Sequence, residues 1–258
     1  MTQDRQERMI ESKPPRGLSA TATALVRGAG RAAGPHFQIR PAAAGAALAV
    51  DDAVALEACP VRALGLGAAA KRAIDVIGAL AMLAVCGLPM LIVALLIRLS
   101  SPGPALYTQE RVGLGGRRFL MLKFRTMHVD AEAQTGPVWA QEEDPRRTRF
   151  GVFLRRWSID ELPQLINVVS GEMSLVGPRP ERPYFVARFS KEMPAYNQRH
   201  GMRPGLTGWA QLNGLRGNTS ISKRLDFDLH YIRHWSLKFD LTILLLTPIR
   251  MLTDTNAY

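Results

Sequence analysis

The chain has 258 residues, which suits one domain of ordinary size with a tail and excludes a disulfide mini-protein. Hydrophobic residues make up 47% and charged residues 21%, so wholesale disorder is excluded. Thirty-three Lys+Arg against 22 Asp+Glu leave a net charge of +11, which favours an anionic partner: nucleic acid, anionic lipid or a phosphorylated substrate. The 2 cysteines, Cys59 and Cys86, make no disulfide framework and suit a reducing compartment. With only 5 scattered histidines, a zinc site is not expected.

In chain order, residues 1–70 read as a low-complexity, disordered N-terminal tail. The stretch 19–70 is rich in Ala and Gly and cannot bury enough apolar surface to offset its ordering entropy. A short helix over Asp51–Leu64 is the one local element expected there. The polar N-terminus does not read as a signal peptide.

Residues 71–100 form a membrane segment. Val76–Ile97 is a run of 22 residues without a charge. A straight helix of that length, at ~1.5 Å per residue, could cross a bilayer core of ~30 Å. Pro89 argues instead for a kink. Basic residues also flank both ends (Lys71 and Arg72; Arg98 and Arg111), whereas a spanning helix concentrates them on one side. From these residues alone a span and a bent, returning helix both stand. Asp75 is expected to pair with Lys71 at helical spacing.

Residues 101–258 read as globular. Ala105–Gln109 and Phe119–Phe124 are short strands joined by a Gly-rich loop at 113–116. Arg147–Trp157 reads as a basic-faced helix. Ser158 is a plausible N-cap, with Glu161 completing a capping box, for a helix running to Val169. Arg182–Lys191 and Ser220–His234 are further helices. Leu241–Leu252 is apolar on one side and broken at Pro248. The whole is α+β.

Asp160-Glu161 opens a predicted helix, where carboxylates commonly serve only the helix dipole. Here they lie among Arg155, Gly177-Pro178-Arg179-Pro180 and Arg203-Pro204-Gly205. Stiff turns presenting arginines suit phosphate, because the guanidinium fork matches its oxygens. An acidic pair in that setting could hold a divalent metal on a diphosphate or supply a nucleophilic carboxylate. No P-loop is present.

These residues resemble the bacterial sugar transferases, the small monotopic polyprenyl-phosphate sugar-1-phosphate transferases. The matching blocks are KRAID (71–75), SPGPALYTQERVG (101–113), LKFRTM (122–127), TGPVWA (135–140), TRFGVFLRRWSIDELPQLINVVSGEMSLVGPRPERP (148–183), RPGLTGWAQLNGLRG (203–217) and DLHYIRHWSLKFDLTIL (228–244). The resemblance spans roughly 71–252. It implies a membrane-associated, monotopic domain whose reentrant helical hairpin dips into the cytoplasmic leaflet of a bacterial inner membrane and returns. It implies transfer of a sugar 1-phosphate from a UDP-sugar, such as glucose or galactose, to undecaprenyl phosphate for exopolysaccharide or another surface glycan. Asp160 matches the family nucleophile and Glu161 its dyad partner. Both would serve Mg2+, with Lys123, Arg155, Arg179 and Arg203 near the phosphates. Inner-membrane lipid is the expected surrounding, and a homodimer is compatible with the reading. At the hairpin break this chain has Leu88-Pro89 where the family commonly has Ser-Pro.

Two other functional classes fit the sequence less well. Nucleic-acid binding fits the charge, yet no helix-turn-helix, zinc finger or aromatic-basic RNA motif occurs. An inactive scaffold of the same fold is disfavoured because both acids and the arginines are present. Trp139, Trp157, Trp209 and Trp235 read as packing or interface anchors. His128, His200, His230 and His234 read as structural or solvated. Asp160, behind an N-cap and beside Arg155, is expected to be kept ionised.

Overall fold

The structure, a computed structural model, describes residues 66–253 apart from 130, 132–138 and 140–143. The tail expected over 1–70 and the helix expected over Asp51–Leu64 lie outside the described residues, except for 66–70.

Helix α1, Leu66–Ser100, opens the described chain and has 35 residues. It begins ahead of the expected boundary at 71 because the Ala-rich lead-in continues the helix without a breaker. Its central window has a mean hydropathy of 2.8, so by length and composition it can cross a membrane. Pro89 lies inside the helix, which continues through it rather than appearing as two helices joined by a turn. Most of its apolar side chains are exposed, among them Ile77, Val85, Leu88, Leu91 and Leu99. One stripe is covered: Ala79 and Leu83 meet the main core, while Met90, Val93, Ala94 and Ile97 pack with Phe124 and Leu154.

Polar bonds fasten the start of α1. The expected Lys71–Asp75 pair does not form. Lys71 Nζ lies 2.7 Å from Asp240 Oδ2 and donates to the Val176 carbonyl at 3.0 Å. Asp75 accepts from Ser174 Oγ and Leu175 N, both at 2.9 Å. Tertiary partners win because each buried group gains two hydrogen bonds inside the fold, which an exposed i,i+4 pair does not supply.

The expected strands form an antiparallel hairpin of β1 (Leu106–Val112) and β2 (Arg118–Phe124), with Thr108 opposite Leu122. Helix α2 (Arg149–Arg156) is capped by Thr148, whose Oγ1 accepts from Gly151 N at 2.9 Å. Gly151 lies flat on the Thr126 carbonyl, 2.1 Å from where a β-carbon would sit.

The expected capping box is absent. Ser158 has φ 52°, the left-handed region, and makes no capping bond. A capping residue needs extended backbone to aim its oxygen at the first N–H groups. The chain instead makes a 3-10 turn over Ile159–Glu161, and helix α3 runs from Gln164 to Ser170.

Strand β3 (Ser174–Val176) pairs in parallel with β4 (Gly205–Thr207). The backbones meet at Gly177 and Gly205, where a β-carbon on Gly205 would stand 2.0 Å from Gly177 N. Around this pair lie α4 (Pro183–Glu192), a 3-10 turn (Tyr196–Gly201), α5 (Trp209–Leu212), α6 (Ile221–Arg233) and α7 (Leu237–Thr253). Helix α7 also continues through its proline, Pro248, where a break was expected. Its neighbour Thr247 bonds the Ile243 carbonyl at 2.7 Å. That carbonyl is one turn from Pro248, near the one that loses a donor to proline. The main core gathers Ala79, Met121, Leu165, Val176, Tyr231 and Ile243, so α1 is built into the globular domain. The architecture is mixed helix and strand.

Candidate active site

Three elements converge on the acidic pair. The 3-10 turn carries Asp160 and Glu161, β2 delivers Lys123, and the turn after β3 delivers Arg179. Lys123 Nζ is 2.8 Å from Glu161 Oε1, and Arg179 Nη1 donates to Glu161 Oε2 at 3.1 Å. The other prong of the Arg179 fork bonds Glu161 Oε1. Glu161 is therefore held by two cations. Burial alone would raise its pKa, but Arg179 and Lys123 together outweigh burial and hold it well below the usual carboxylate range.

Asp160 is also buried, in different company. Lys123, Arg155 and Arg179 act on it through space. Burial dominates and pushes the carboxyl up to about 6, with Lys123 pulling down and Glu161 pushing up. The expected stabilisation by Arg155 is present, but it is outweighed. Burial also lowers Lys123 and Arg155 from their usual ranges, opposed chiefly by Glu161 and Asp160 respectively. Arg155, on the last turn of α2, is steadied by donating from Nε to Thr126 Oγ1 at 2.9 Å.

Two carboxylates among three cations leave one positive charge over, which suits an incoming phosphate. A carboxylate with a raised pKa beside a low-pKa partner is the separation that lets adjacent acids take different roles.

Arg203 does not join this group. Its Nε donates to the Gly171 carbonyl at 3.0 Å, at the C-terminal end of α3, whereas Asp160 lies before the start of that helix. A cation there satisfies the orphan carbonyls of the helix end. Arg72 does the same, donating to the Val168 carbonyl at 2.7 Å. His200 is buried, and burial with Arg199 pushes it down to about 3, so it is neutral. Trp139 packs edge-on against Phe185 at 4.6 Å, and Trp235 bonds Asp240.

The sequence pattern did not single out the residues that hold the Arg179 turn. They are Arg111, Glu181, Arg199, Arg224 and Asp228. Arg111, Glu181 and Asp228 lie inside matched blocks without a role of their own. Arg199 and Arg224 lie in none, and a single arginine in a basic chain carries no signal.

A sequence model of the family described as bacterial sugar transferase matches residues 66–254. The chain is 49% identical over 185 residues to a UDP-glucose:undecaprenyl-phosphate glucose-1-phosphate transferase of Xanthomonas campestris pv. campestris, covering 69% of this chain and 38% of that protein. It is 48% identical over 194 residues to a protein of the same name from Caulobacter vibrioides, covering 73% and 72%. It is 43% identical over 195 residues to the exopolysaccharide production protein PSS of Rhizobium leguminosarum bv. phaseoli, covering 73% and 98%. The chain thus spans well under half of the Xanthomonas relative and most of the other two.

Proposed function

The chain belongs to the bacterial sugar transferase family, and on that premise we propose that it moves a sugar 1-phosphate from a UDP-sugar to undecaprenyl phosphate, releasing UMP. The product would begin an exopolysaccharide or another surface glycan. Glucose is the first hexose to test, because two of the relatives are named for it.

The observation that carries this reading is Asp160: buried, with a raised pKa, and within the field of Lys123, Arg155 and Arg179. An Asp160 carboxylate oxygen attacks the sugar-bearing phosphorus. The new O–P bond forms as the P–O bond to UMP breaks, and the electron pair leaves with UMP. A phosphate oxygen of undecaprenyl phosphate then attacks the same phosphorus, and the Asp160 carboxylate departs unchanged. Glu161 is ionised and holds Lys123 and Arg179 at the site. Its low pKa makes it a poor proton acceptor and favours a binding role.

Magnesium fits this donor set. Mg2+ is usually held by one or two carboxylates together with substrate phosphates. Among the described residues no cluster of three His, Cys, Asp or Glu would cage an ion by protein alone. Asp160 would hold it, joined by Glu161 once a phosphate takes over its cations. When bound, the ion neutralises diphosphate charge.

Helix α1 enters the cytoplasmic leaflet, bends at Pro89 and returns to the same face. The support is that both ends dock on one folded body. Lys71 reaches Asp240 and Val176, and at the other end Arg125 donates to the Ser101 carbonyl at 2.8 Å. A helix crossing the bilayer would separate those ends by a core of ~30 Å.

The test is UMP release by membrane-extracted protein given undecaprenyl phosphate, magnesium and a panel of UDP-sugars. At least one donor should release UMP, and none doing so would overturn the assignment. Without lipid, the protein should gain the mass of one sugar phosphate. Lipid product without that adduct would favour direct transfer in a ternary complex.

A further inference from the structure

Arg179 stands between two prolines, Pro178 and Pro180, which restrict its backbone on both sides. Two elements, the 3-10 turn and β1, then grip three successive carbonyls of this turn. Arg199 Nη2 donates to the Arg179 carbonyl at 2.8 Å, Arg111 Nη1 to the Pro180 carbonyl at 2.9 Å, and Val112 N to the Glu181 carbonyl at 3.0 Å. The Glu181 side chain is taken up by Arg224 Nη1 at 2.9 Å. Arg199 is itself held by Asp228, with Nη2 2.7 Å from Oδ2, and both side chains are almost wholly buried. Asp228 and Arg224 lie one turn apart on α6, so one helix face holds both Arg199 and the Glu181 side chain.

An ion pair this deep is expensive as a stabiliser, since apolar side chains of similar volume often serve as well. What those would not supply is the further bond to the backbone of Arg179. We propose that Arg199, oriented by Asp228, is a positioning residue. Its bond to the Arg179 carbonyl fixes the guanidinium of Arg179 for the phosphates of the donor. This rests on the reading of Arg179 as a phosphate ligand given above.

The experiment is a double-mutant cycle on the full chain in detergent, with inorganic diphosphate as the probe and its Kd measured by calorimetry. Arg199→Met with Asp228→Leu removes the ion pair without stranding a charge. It should unfold near the wild-type temperature yet bind diphosphate about tenfold more weakly. In an Arg179→Ala background the same replacement should change Kd less than about twofold, because the residue it acts through is gone. An equal fold-change in both backgrounds, or no change in either, overturns the proposal, as does a wild type that does not bind diphosphate. If the apolar pair fails to fold, Arg199→Lys is carried through the same cycle with the same expectations. UMP release is measured on the same proteins. Coupling without UMP release would keep the positioning role and sink the transferase reading.

Discussion

Asp160 and Glu161 are adjacent in sequence but not in chemistry. Glu161 collects the ion pairs, and Asp160 is left buried and raised to about 6. Asp160→Asn keeps the shape and removes the nucleophile, so adduct formation should fall by roughly 10³-fold or more, read by mass and UMP release. Survival of the adduct would move the covalent step elsewhere. The ionised form is the reactive one. The kcat/KM for UDP-sugar should therefore rise with pH up to about 6 and level off above it, with an acid limb well above an ordinary aspartate's. Lys123 pulls the Asp160 pKa down. Lys123→Met should move that limb to higher pH, and a limb that stays put would mean that another group controls it.

At the element scale, the site depends on how closely α2 approaches the strand segment beside it. Gly151 meets the Thr126 carbonyl with no room for a side chain, and Thr126 also receives Arg155 from the same helix. Gly151→Ala should push α2 away, costing about 1–3 kcal/mol in thermal or denaturant unfolding. Turnover should fall further than stability alone explains, since Arg155 moves with the helix. A variant with wild-type stability and activity would show that the approach is slack. The left-handed Ser158 is the other device of this segment, turning the chain from α2 into the 3-10 turn that presents the acidic pair.

For the whole molecule, the central question is where the two ends of α1 lie. The described fold ties both to one body, while the apolar face between them is exposed. Single cysteines replacing Ala69 and Thr108, in a background without Cys59 and Cys86, should both be shielded from an impermeant thiol reagent in intact cells. Both should react after lysis. Labelling of one alone in intact cells would establish a span and overturn the returning helix.

The sequence alone determined the elements whose signals are local. Two short strands either side of a glycine loop marked the β1–β2 hairpin. The segments Arg147–Trp157, Arg182–Lys191 and Ser220–His234 read as helices and became α2, α4 and α6, and an unbroken apolar run marked α1. The motif blocks pointed to the acidic pair and to Lys123, Arg155 and Arg179, which the fold brings to one place. The partners of the buried charges were set by packing. Lys71 turned from Asp75 to Asp240, Glu161 turned from a capping box to Lys123 and Arg179, and Arg203 went to the end of α3. The positioning of Arg179 by Arg199 and Asp228 was equally invisible, because it joins segments 20 and 29 residues apart. The physical reason is common to all of these. Propensity and periodicity act over a few residues, whereas a buried charge is satisfied by whichever group the packed chain brings within hydrogen-bonding distance.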